Sequence, residues 1–343
     1  MDKIDDTLKN AIQGSWMVTN TRFDFDFVTV FNTMKNETMD QAGIVTEIDI
    51  NRVKTLQERF RNAVNTIVYS WSGAKNINTT EVTSEWFEKL LVLHSHEDRA
   101  YHTFCHIEEM IGYIDLFFTP NTRDITDDIS QENIYYAIVI ICVFFHDAIY
   151  DAKSATNEED SLSLYQSFEK QLLECIIHSE NQRTRNTDTK IHFDLSSQWQ
   201  HTNKVSVFIL ATKSHNLDSI KERDDQMFLE YLKIFLDADM AVLGKCHDAY
   251  DHYASLIRKE YIHVPHTVYC EKRAEVLQSF VEVVQNVQNR DVHDNNMINK
   301  STSRFIFSSG SMRQALEEQA VDNLRREIQC LQSGSIPRVT TNA

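Results

Sequence analysis

Residues 134–147 have the sequence IYYAIVIICVFFHD, in which twelve apolar or aromatic residues are followed directly by His146 and Asp147. A helix that is apolar on every side is buried, either in a protein core or in a membrane. Twelve residues are too few to span a bilayer, which takes about 20. The stretch therefore predicts a helix that is buried in a large core and carries two polar residues at its C-terminal end.

Glycine and proline are scarce over the whole chain. Only 7 glycines and 3 prolines occur in 343 residues, whereas sheet-rich folds need turn residues about every 8–12 positions. The composition therefore predicts an all-α fold. Apolar residues recur with helical spacing in residues 52–71, 83–95, 101–118, 131–149, 157–178, 203–214, 224–243, 246–261, 267–289 and 311–332.

The net charge and the cysteines restrict the classes of binding partner and the cellular compartment that we expect. With 51 acidic and 34 basic residues the net charge is −17, and such a surface repels nucleic acids and anionic membranes. We expect neither as a partner. Six cysteines are scattered without a CxxC pair, which is typical of a reducing compartment, and the first residues lack the apolar core of a signal peptide. These features predict a cytoplasmic protein.

The chain is predicted to fall into three parts. Residues 1–80 form an N-terminal extension of unknown role, in which residues 23–27 alternate as in a strand or an extended arm. Residues 81–333 form the helical domain, and residues 334–343 form a flexible tail. The motifs described below all lie in the helical domain.

Two histidines lie four residues apart in the predicted helix 101–118. His102 and His106 share one face of that helix and fall at the edge of its apolar stripe, where a core gives way to a cleft. A single histidine at such an edge is more often a structural residue than a ligand. The pair therefore indicates a binding site only in combination with other ligands.

His146 and Asp147 place an imidazole and a carboxylate at the end of the buried helix. A buried carboxylate without a partner is strongly unfavourable. A divalent cation removes that cost by binding the imidazole nitrogen and the carboxylate oxygen together. The alternative is an aspartate that orients the neighbouring histidine or caps the next turn.

A further carboxylate is predicted in the middle of an apolar helix face. In the helix of residues 227–243, a rotation of about 100° per residue puts Asp239 within the apolar stripe and Asp237 on the opposite side, facing water. Because a carboxylate among apolar side chains needs a strong partner, Asp239 is a candidate metal ligand. The predicted ligands of a divalent ion, one of Mn, Mg, Fe, Co or Zn, are His106, His146, Asp147 and Asp239.

The order His, His-Asp, Asp on successive helices resembles the signature of the HD-domain superfamily of metal-dependent phosphohydrolases. The chain is similar in particular to the uncharacterised "predicted metal-dependent HD phosphohydrolase" family over about residues 82–332. The resemblance implies an HD-domain helical bundle with a divergent N-terminal extension. The segments that carry it are residues 99–107 (RAYHTFCHI), 145–151 (FHDAIYD), 157–161 (NEEDS), 236–240 (LDADM) and 257–261 (IRKEY), and Glu318 with Asn323 and Leu324.

The resemblance also implies a reaction. In HD phosphohydrolases one divalent ion holds a phosphate oxygen and a water whose pKa it lowers towards neutral. The implied substrate is a small phosphate ester, a nucleotide foremost, and the candidate catalytic carboxylates are Asp151 and Glu158. Asp151 is alternatively a turn residue before Lys153. Glu159 is expected to form a capping box with Thr156, which leaves Glu158 for the site.

Four further side chains are candidates for binding the substrate, and they are Arg99, His102, His215 and Arg258. An arginine suits this role because its guanidinium pairs with two phosphate oxygens at once. The alternatives are a surface ion pair of Arg99 with Glu97 or Asp98, and an Arg258 that only ties helices together. His215 is also a candidate ligand of a second metal ion.

Three functions remain open from the sequence. The first is a metal-dependent hydrolase of a small phosphate ester. The second is a ligand-binding or regulatory HD protein without turnover, against which the intact ligand set argues. The third is an HD-fold oxygenase with two irons, which needs extra histidines between the His-Asp pair and the last aspartate, where only His215 is well placed.

Overall fold

The computed structural model describes residues 43–73, 77–117, 130–184, 195–217, 220, 225–290 and 305–337. Within these residues it contains ten α-helices, one short 3-10 helix and no β-strand. The predicted all-α fold class is therefore confirmed. No described helix is both long and apolar enough to cross a membrane.

The chain divides into two compact units, and the division falls between Phe235 and Leu236. Each of the ten predicted helical segments overlaps a helix of the structure, in the same order. The helices before the division are α1 (Gly43–Ser72), α2 (Thr80–His94), α3 (Phe104–Phe117), α4 (Gln131–Phe145), α5 (Asn157–Thr184) and α6 (Leu195–Ala211). Helix α7 (Gln226–Met240) contains the division, and it is followed by a 3-10 turn (Ala241–Gly244), α8 (His247–Glu260), α9 (His266–Arg290) and α10 (Gly310–Gln332).

Helix α4 is the centre of the first unit. Every residue from 137 to 145 is buried, as the apolar sequence predicted. The helix begins where the Ser130 hydroxyl accepts the backbone N–H of Asn133 at 3.2 Å, which satisfies one of the free donors of the first turn. It ends at Phe145, so that His146 and Asp147 follow from a fixed point inside the core.

Helix α1 is part of the same core. The ring of Phe60 is fully buried and lies 5.1 Å from Phe144 of α4 and 5.7 Å from Phe168 of α5, measured between ring centroids. The sequence predicted an N-terminal extension over residues 1–80. The described part of that segment contains α1, whose apolar face packs on α4 and α5, and the predicted division of the chain into an extension and a domain stays a prediction.

The predicted segments at the two chain ends are only partly described. Residues 1–42, with the alternating stretch 23–27, lie outside the described residues. Of the predicted tail 334–343, the structure describes residues 334–337. The Gly334 carbonyl accepts a hydrogen bond from Nε2 of His266 at 2.9 Å, so α9 holds the start of this segment.

The second unit is organised around the 3-10 turn. Gly244 is buried there, and a Cβ atom at this position would lie 2.6 Å from the Cβ atom of Leu316 in α10. The side-chain amide of Asn323 donates to the carbonyls of Leu243 and Lys245 at 2.8 and 2.7 Å. A small residue and a buried amide thus fix the turn against α10.

Replacing Phe60 by alanine tests the place of α1 in the core. We expect the free energy of unfolding to fall by about 3–5 kcal/mol, because the change leaves a cavity among buried rings. Urea unfolding followed by tryptophan fluorescence measures this, since Trp71 and Trp86 are buried in the same unit. The matched control is Glu58→Ala on the exposed side of α1, which should cost no more than about 0.5 kcal/mol. Equal effects of the two changes would contradict a core role for α1.

Candidate metal centre

Three of the four predicted metal ligands come together in the first unit. Ligand atoms of His106, His146 and Asp147 all lie within 4.8 Å of one another. His106 and His146 are buried, with 3% and 0% of their surface exposed, whereas 17% of the Asp147 side chain is exposed. Two imidazole nitrogens and one carboxylate oxygen form a donor set that several divalent metals accept.

The proton of His146 is on the ring nitrogen that faces away from Asp147. Nδ1 of His146 lies 2.9 Å from the Val143 carbonyl, and since a carbonyl can only accept, Nδ1 carries the hydrogen. Nε2 of the same ring lies 3.1 Å from Oδ2 of Asp147. A ring nitrogen and a carboxylate oxygen at this distance require a proton or a cation between them. A hydrogen bond from the second ring nitrogen to a backbone carbonyl is also the usual support of a metal-bound histidine.

The local backbone explains how the pair reaches this position. His146 is the C-cap of α4 with αR dihedral angles, and its N–H donates to the Cys142 carbonyl at 2.8 Å. The chain then turns, with the Ala148 N–H donating to the Phe145 carbonyl at 3.1 Å. His146 is thus held at the buried end of the helix, while Asp147 points towards an accessible side.

His102 lies beside the three ligands, although not on a helix. Helix α3 begins at Phe104, so the prediction of a helix from residue 101 is wrong at its first turn. The His102 ring is nevertheless 5.9 Å from the His106 ring, and its Nε2 is 3.9 Å from Oδ2 of Asp147. It also stacks on Tyr150, with ring centroids 4.1 Å apart. The turn before α3 therefore brings His102 to the site, and the first turn of α3 brings His106 there.

Arg99 is buried and bonded to the backbone. Only 9% of the residue is exposed, which rules out the alternative of a surface ion pair. Nη1 donates to the carbonyls of His102 and Asp147 at 2.8 and 2.7 Å, and Nη2 donates to the Ala148 carbonyl at 2.9 Å. These contacts serve the protein backbone, and the predicted contact of Arg99 with a phosphate group stays a prediction.

The two aspartates of α7 differ from the prediction in their exposure. Asp237 is buried rather than facing water, and its carboxylate accepts the N–H groups of Ser308 and Ser309, both at 2.7 Å. Burial raises the pKa of Asp237 to about 6, while these hydrogen bonds act in the opposite direction. The helical periodicity of α7 does not predict the burial of Asp237, because a distant segment, residues 305–309, covers that side of the helix. Asp239 is partly exposed in the last turn of α7, within the second unit, and its place as the fourth ligand stays a prediction.

Asp151 occupies the turn that the sequence offered as its alternative role. It is exposed, its Oδ1 accepts the Lys153 N–H at 2.9 Å, and its own N–H donates to Oδ1 of Asn157 at 3.0 Å. The loop after the His-Asp pair is therefore closed by side-chain hydrogen bonds. Its assignment as the general base stays a prediction.

Glu158 lies in the first turn of α5, partly buried, and one oxygen is 3.8 Å from Nζ of Lys213. The predicted capping box at this helix end is not formed. The Glu159 carboxylate instead accepts a hydrogen bond from Lys213 at 2.5 Å, and the Thr156 hydroxyl donates to Asp160 at 2.9 Å. A lysine from the turn after α6 thus replaces the backbone as the partner of Glu159.

The two remaining candidates for substrate binding lie in turns that end helices. His215 follows α6 in a left-handed backbone conformation, with φ of 49°, which is uncommon for a residue other than glycine. Arg258 donates to the carbonyls of Tyr261 and Val264 at 2.5 and 3.1 Å and lies over the Tyr269 ring. This arrangement matches the alternative in which Arg258 ties α8 to α9.

His94 is a residue of the site that the sequence analysis missed. It is buried at the end of α2, Nε2 donates to the Phe144 carbonyl at 3.2 Å, and Nδ1 accepts from Nη1 of Arg99 at 3.2 Å. Burial, followed by the charge of Arg99, lowers the pKa of His94 to about 3. The spacing of Leu90 and Leu91 before it puts His94 on a helical apolar stripe, which is the signal that could have identified it.

No protein-family model, curated protein or solved structure matches this chain. The resemblance to HD phosphohydrolases therefore rests on the sequence motifs quoted above. The chemistry of the centre follows from the described side chains themselves.

The buried neutral state of His94 predicts a loss of stability in acid. Between pH 6.5 and about 3 the unfolded chain binds a proton at His94 that the folded chain does not, so the free energy of unfolding falls as the pH falls. The expected slope from this group is about 1.4 kcal/mol per pH unit. Urea unfolding between pH 7 and 4.5 should show a shallower pH dependence for His94→Gln, whose amide can still donate to Phe144. Identical pH dependences in the two proteins would rule out this assignment.

Proposed function

We propose that this protein is a metal-dependent phosphohydrolase that acts on a small phosphate ester, with nucleotides as the first substrates to test. We place it in the cytoplasm. The six cysteines support this compartment, because all of them are free thiols, as is usual for a reducing environment.

The observation that carries the proposal is the contact between His146 and Asp147. A fully buried imidazole turns its Nε2 towards a carboxylate oxygen at 3.1 Å, and the hydrogen bond of Nδ1 to Val143 fixes the orientation of the ring. His106 supplies a third donor atom within 4.8 Å. Of the two species that can lie between such groups, a divalent cation also uses the third donor, whereas a proton does not.

The charges around this group favour an anionic substrate. The three described ligands carry one negative charge between them, and the buried guanidinium of Arg99 adds a positive charge next to the backbone of Asp147. A bound divalent ion supplies a Lewis acid that activates water and stabilises negative charge on phosphate oxygens. A phosphate ester suits such a positively charged site, because attraction is strong where water is excluded.

The side chains of this chain provide the remaining parts of a hydrolytic site. His106, His146 and Asp147 hold the ion on one side, and the accessible side chain of His102 lies next to Asp147. A carboxylate must take the proton of the attacking water, for which Asp151 and Glu158 are the candidates. Both carboxylates follow the His-Asp pair closely in the chain and are accessible or partly accessible to solvent.

Replacing Asp147 by alanine tests the metal centre. We expect the bound divalent ion to be lost and phosphate release from a panel of nucleoside mono-, di- and triphosphates to stop. The loss of affinity should exceed the about 10–100-fold that removal of an outer-shell partner costs. Metal content by atomic emission and phosphate release measure the two effects, and Asp98→Ala, at an exposed aspartate, is the control.

The same measurements distinguish the other functions. Metal binding with no phosphate release from any substrate would favour a regulatory protein. Two irons per chain would favour an oxygenase. A wild-type protein that binds no divalent ion would contradict the proposal outright.

The general base is tested by Asp151→Asn and Glu158→Gln. An asparagine at position 151 can still accept the Lys153 N–H, so the loop is retained while the base is lost. We expect turnover to fall about 10²–10⁴-fold with metal content unchanged. Glu158→Gln should be milder, since its described partner is the half-exposed Lys213. Full activity of Asp151→Asn with a large loss in Glu158→Gln would reverse the assignment.

A further inference from the structure

Arg99 joins the two chain segments that carry the metal ligands. One segment is the turn before α3, where Nη1 donates to the His102 carbonyl at 2.8 Å. The other is the turn after α4, where Nη1 and Nη2 donate to the carbonyls of Asp147 and Ala148 at 2.7 and 2.9 Å. A single buried guanidinium thus fixes the distance between the backbones of His102 and Asp147.

The hydrogen bonds of Arg99 continue the backbone hydrogen bonding at the buried end of α4. The last carbonyl groups of a helix have no partner within the helix, and at a buried helix end water cannot provide one. His94 donates to the Phe144 carbonyl, and Arg99 donates to the two carbonyls that follow the helix. A positive charge is also favourable at a helix C-terminus. Arg99 and His94 contact each other at 3.2 Å, so they form one connected support.

The same arginine borders the side chains of the site. Its guanidinium carbon lies 5.6 Å from the centroid of the Tyr150 ring, on which His102 stacks. The imidazole of His102 in turn lies 3.9 Å from Oδ2 of Asp147. Arg99 therefore contacts His102 and Asp147 in two ways, directly through their backbone carbonyls and indirectly through the Tyr150 ring.

We propose that Arg99 is a positioning residue of the metal centre, which sets the geometry of the ligands by holding the backbones of His102 and Asp147 together. This inference rests on the metal centre of the proposed function. It differs from the role in phosphate binding that the sequence predicted, and it is favoured by the burial of the guanidinium and by the use of its described donors by carbonyl groups.

The role requires an arginine specifically. A guanidinium directs several donors in one plane, so it can reach three carbonyl groups with fixed geometry. A lysine keeps the charge but offers a single nitrogen on a flexible stem. Arg99→Lys therefore separates the geometry of the clamp from its charge, whereas Arg99→Gln removes the charge and most of the donors.

The experiment measures metal affinity and stability in the same variants. Apo protein is titrated with Co²⁺, whose visible absorption reports both binding and coordination geometry, and urea unfolding of the apo protein gives its stability. We expect both Arg99 variants to bind Co²⁺ about 10–100-fold more weakly, with an altered absorption spectrum.

The matched control is Arg59→Lys. Arg59 of α1 donates to the hydroxyl of Tyr136 in α4 at 2.9 Å and pairs with Asp115 of α3. It therefore links α3 and α4, but at positions that are distant in the chain from His106 and His146. We expect this change to lower stability while the affinity and spectrum of Co²⁺ stay as in the wild type.

The outcomes separate the positioning role from a structural one. If Arg99→Lys binds Co²⁺ with wild-type affinity and spectrum while its stability falls as in Arg59→Lys, the inference is wrong and the proposed function is untouched. A wild-type protein without Co²⁺ binding would overturn both. If Arg99→Gln does not fold, Arg99→Lys alone decides, and its failure to fold as well in the absence of metal would assign Arg99 to the core and overturn the inference.

Discussion

A helix that is buried on every side ends inside the protein, and its last carbonyl groups must find donors there. Helix α4 meets this constraint with side chains and with the turn that follows it. His146 donates to Val143, His94 donates to Phe144, and the Ala148 N–H donates to Phe145. Arg99 donates to the next two carbonyl groups of that turn, those of Asp147 and Ala148. Charged and titratable side chains are thus gathered at the buried end of an apolar helix, where they complete hydrogen bonds of the backbone. The three side chains that could hold a metal ion lie at that point.

The hydrogen bonds of the backbone also decide which histidine can be a ligand. In His146, Nδ1 donates a hydrogen bond to the Val143 carbonyl, and Nε2 faces Asp147. In His94, Nε2 donates a hydrogen bond to the Phe144 carbonyl, and Nδ1 accepts one from Arg99. Two buried histidines at the same helix end therefore have different roles. His146 has a nitrogen that could bind an ion, whereas His94 supports the end of the helix.

Local sequence predicted the features that depend on local spacing. The helices follow from apolar periodicity. The convergence of His146 with His106 was predicted because polar side chains at the end or edge of an apolar helix need a shared partner. The failures involve contacts from segments distant in the chain. Asp237 appeared exposed on an ideal helix, but the N–H groups of Ser308 and Ser309 cover it. The packing of α1 on α4 and α5 is likewise a contact between distant segments, which periodicity within α1 cannot reveal.

The burial of Arg99 separates two kinds of side chain at this centre. The guanidinium lies behind the backbone, where it donates to the carbonyl groups of His102, Asp147 and Ala148. His102 is partly accessible, because 18% of its side chain is exposed, and it lies 3.9 Å from Asp147. Stacking on Tyr150 holds its ring there. Under the proposed function, direct contact with a phosphate group would therefore fall to His102, whereas Arg99 would act on it only through its charge, since electrostatic attraction needs no direct contact in a medium of low dielectric constant.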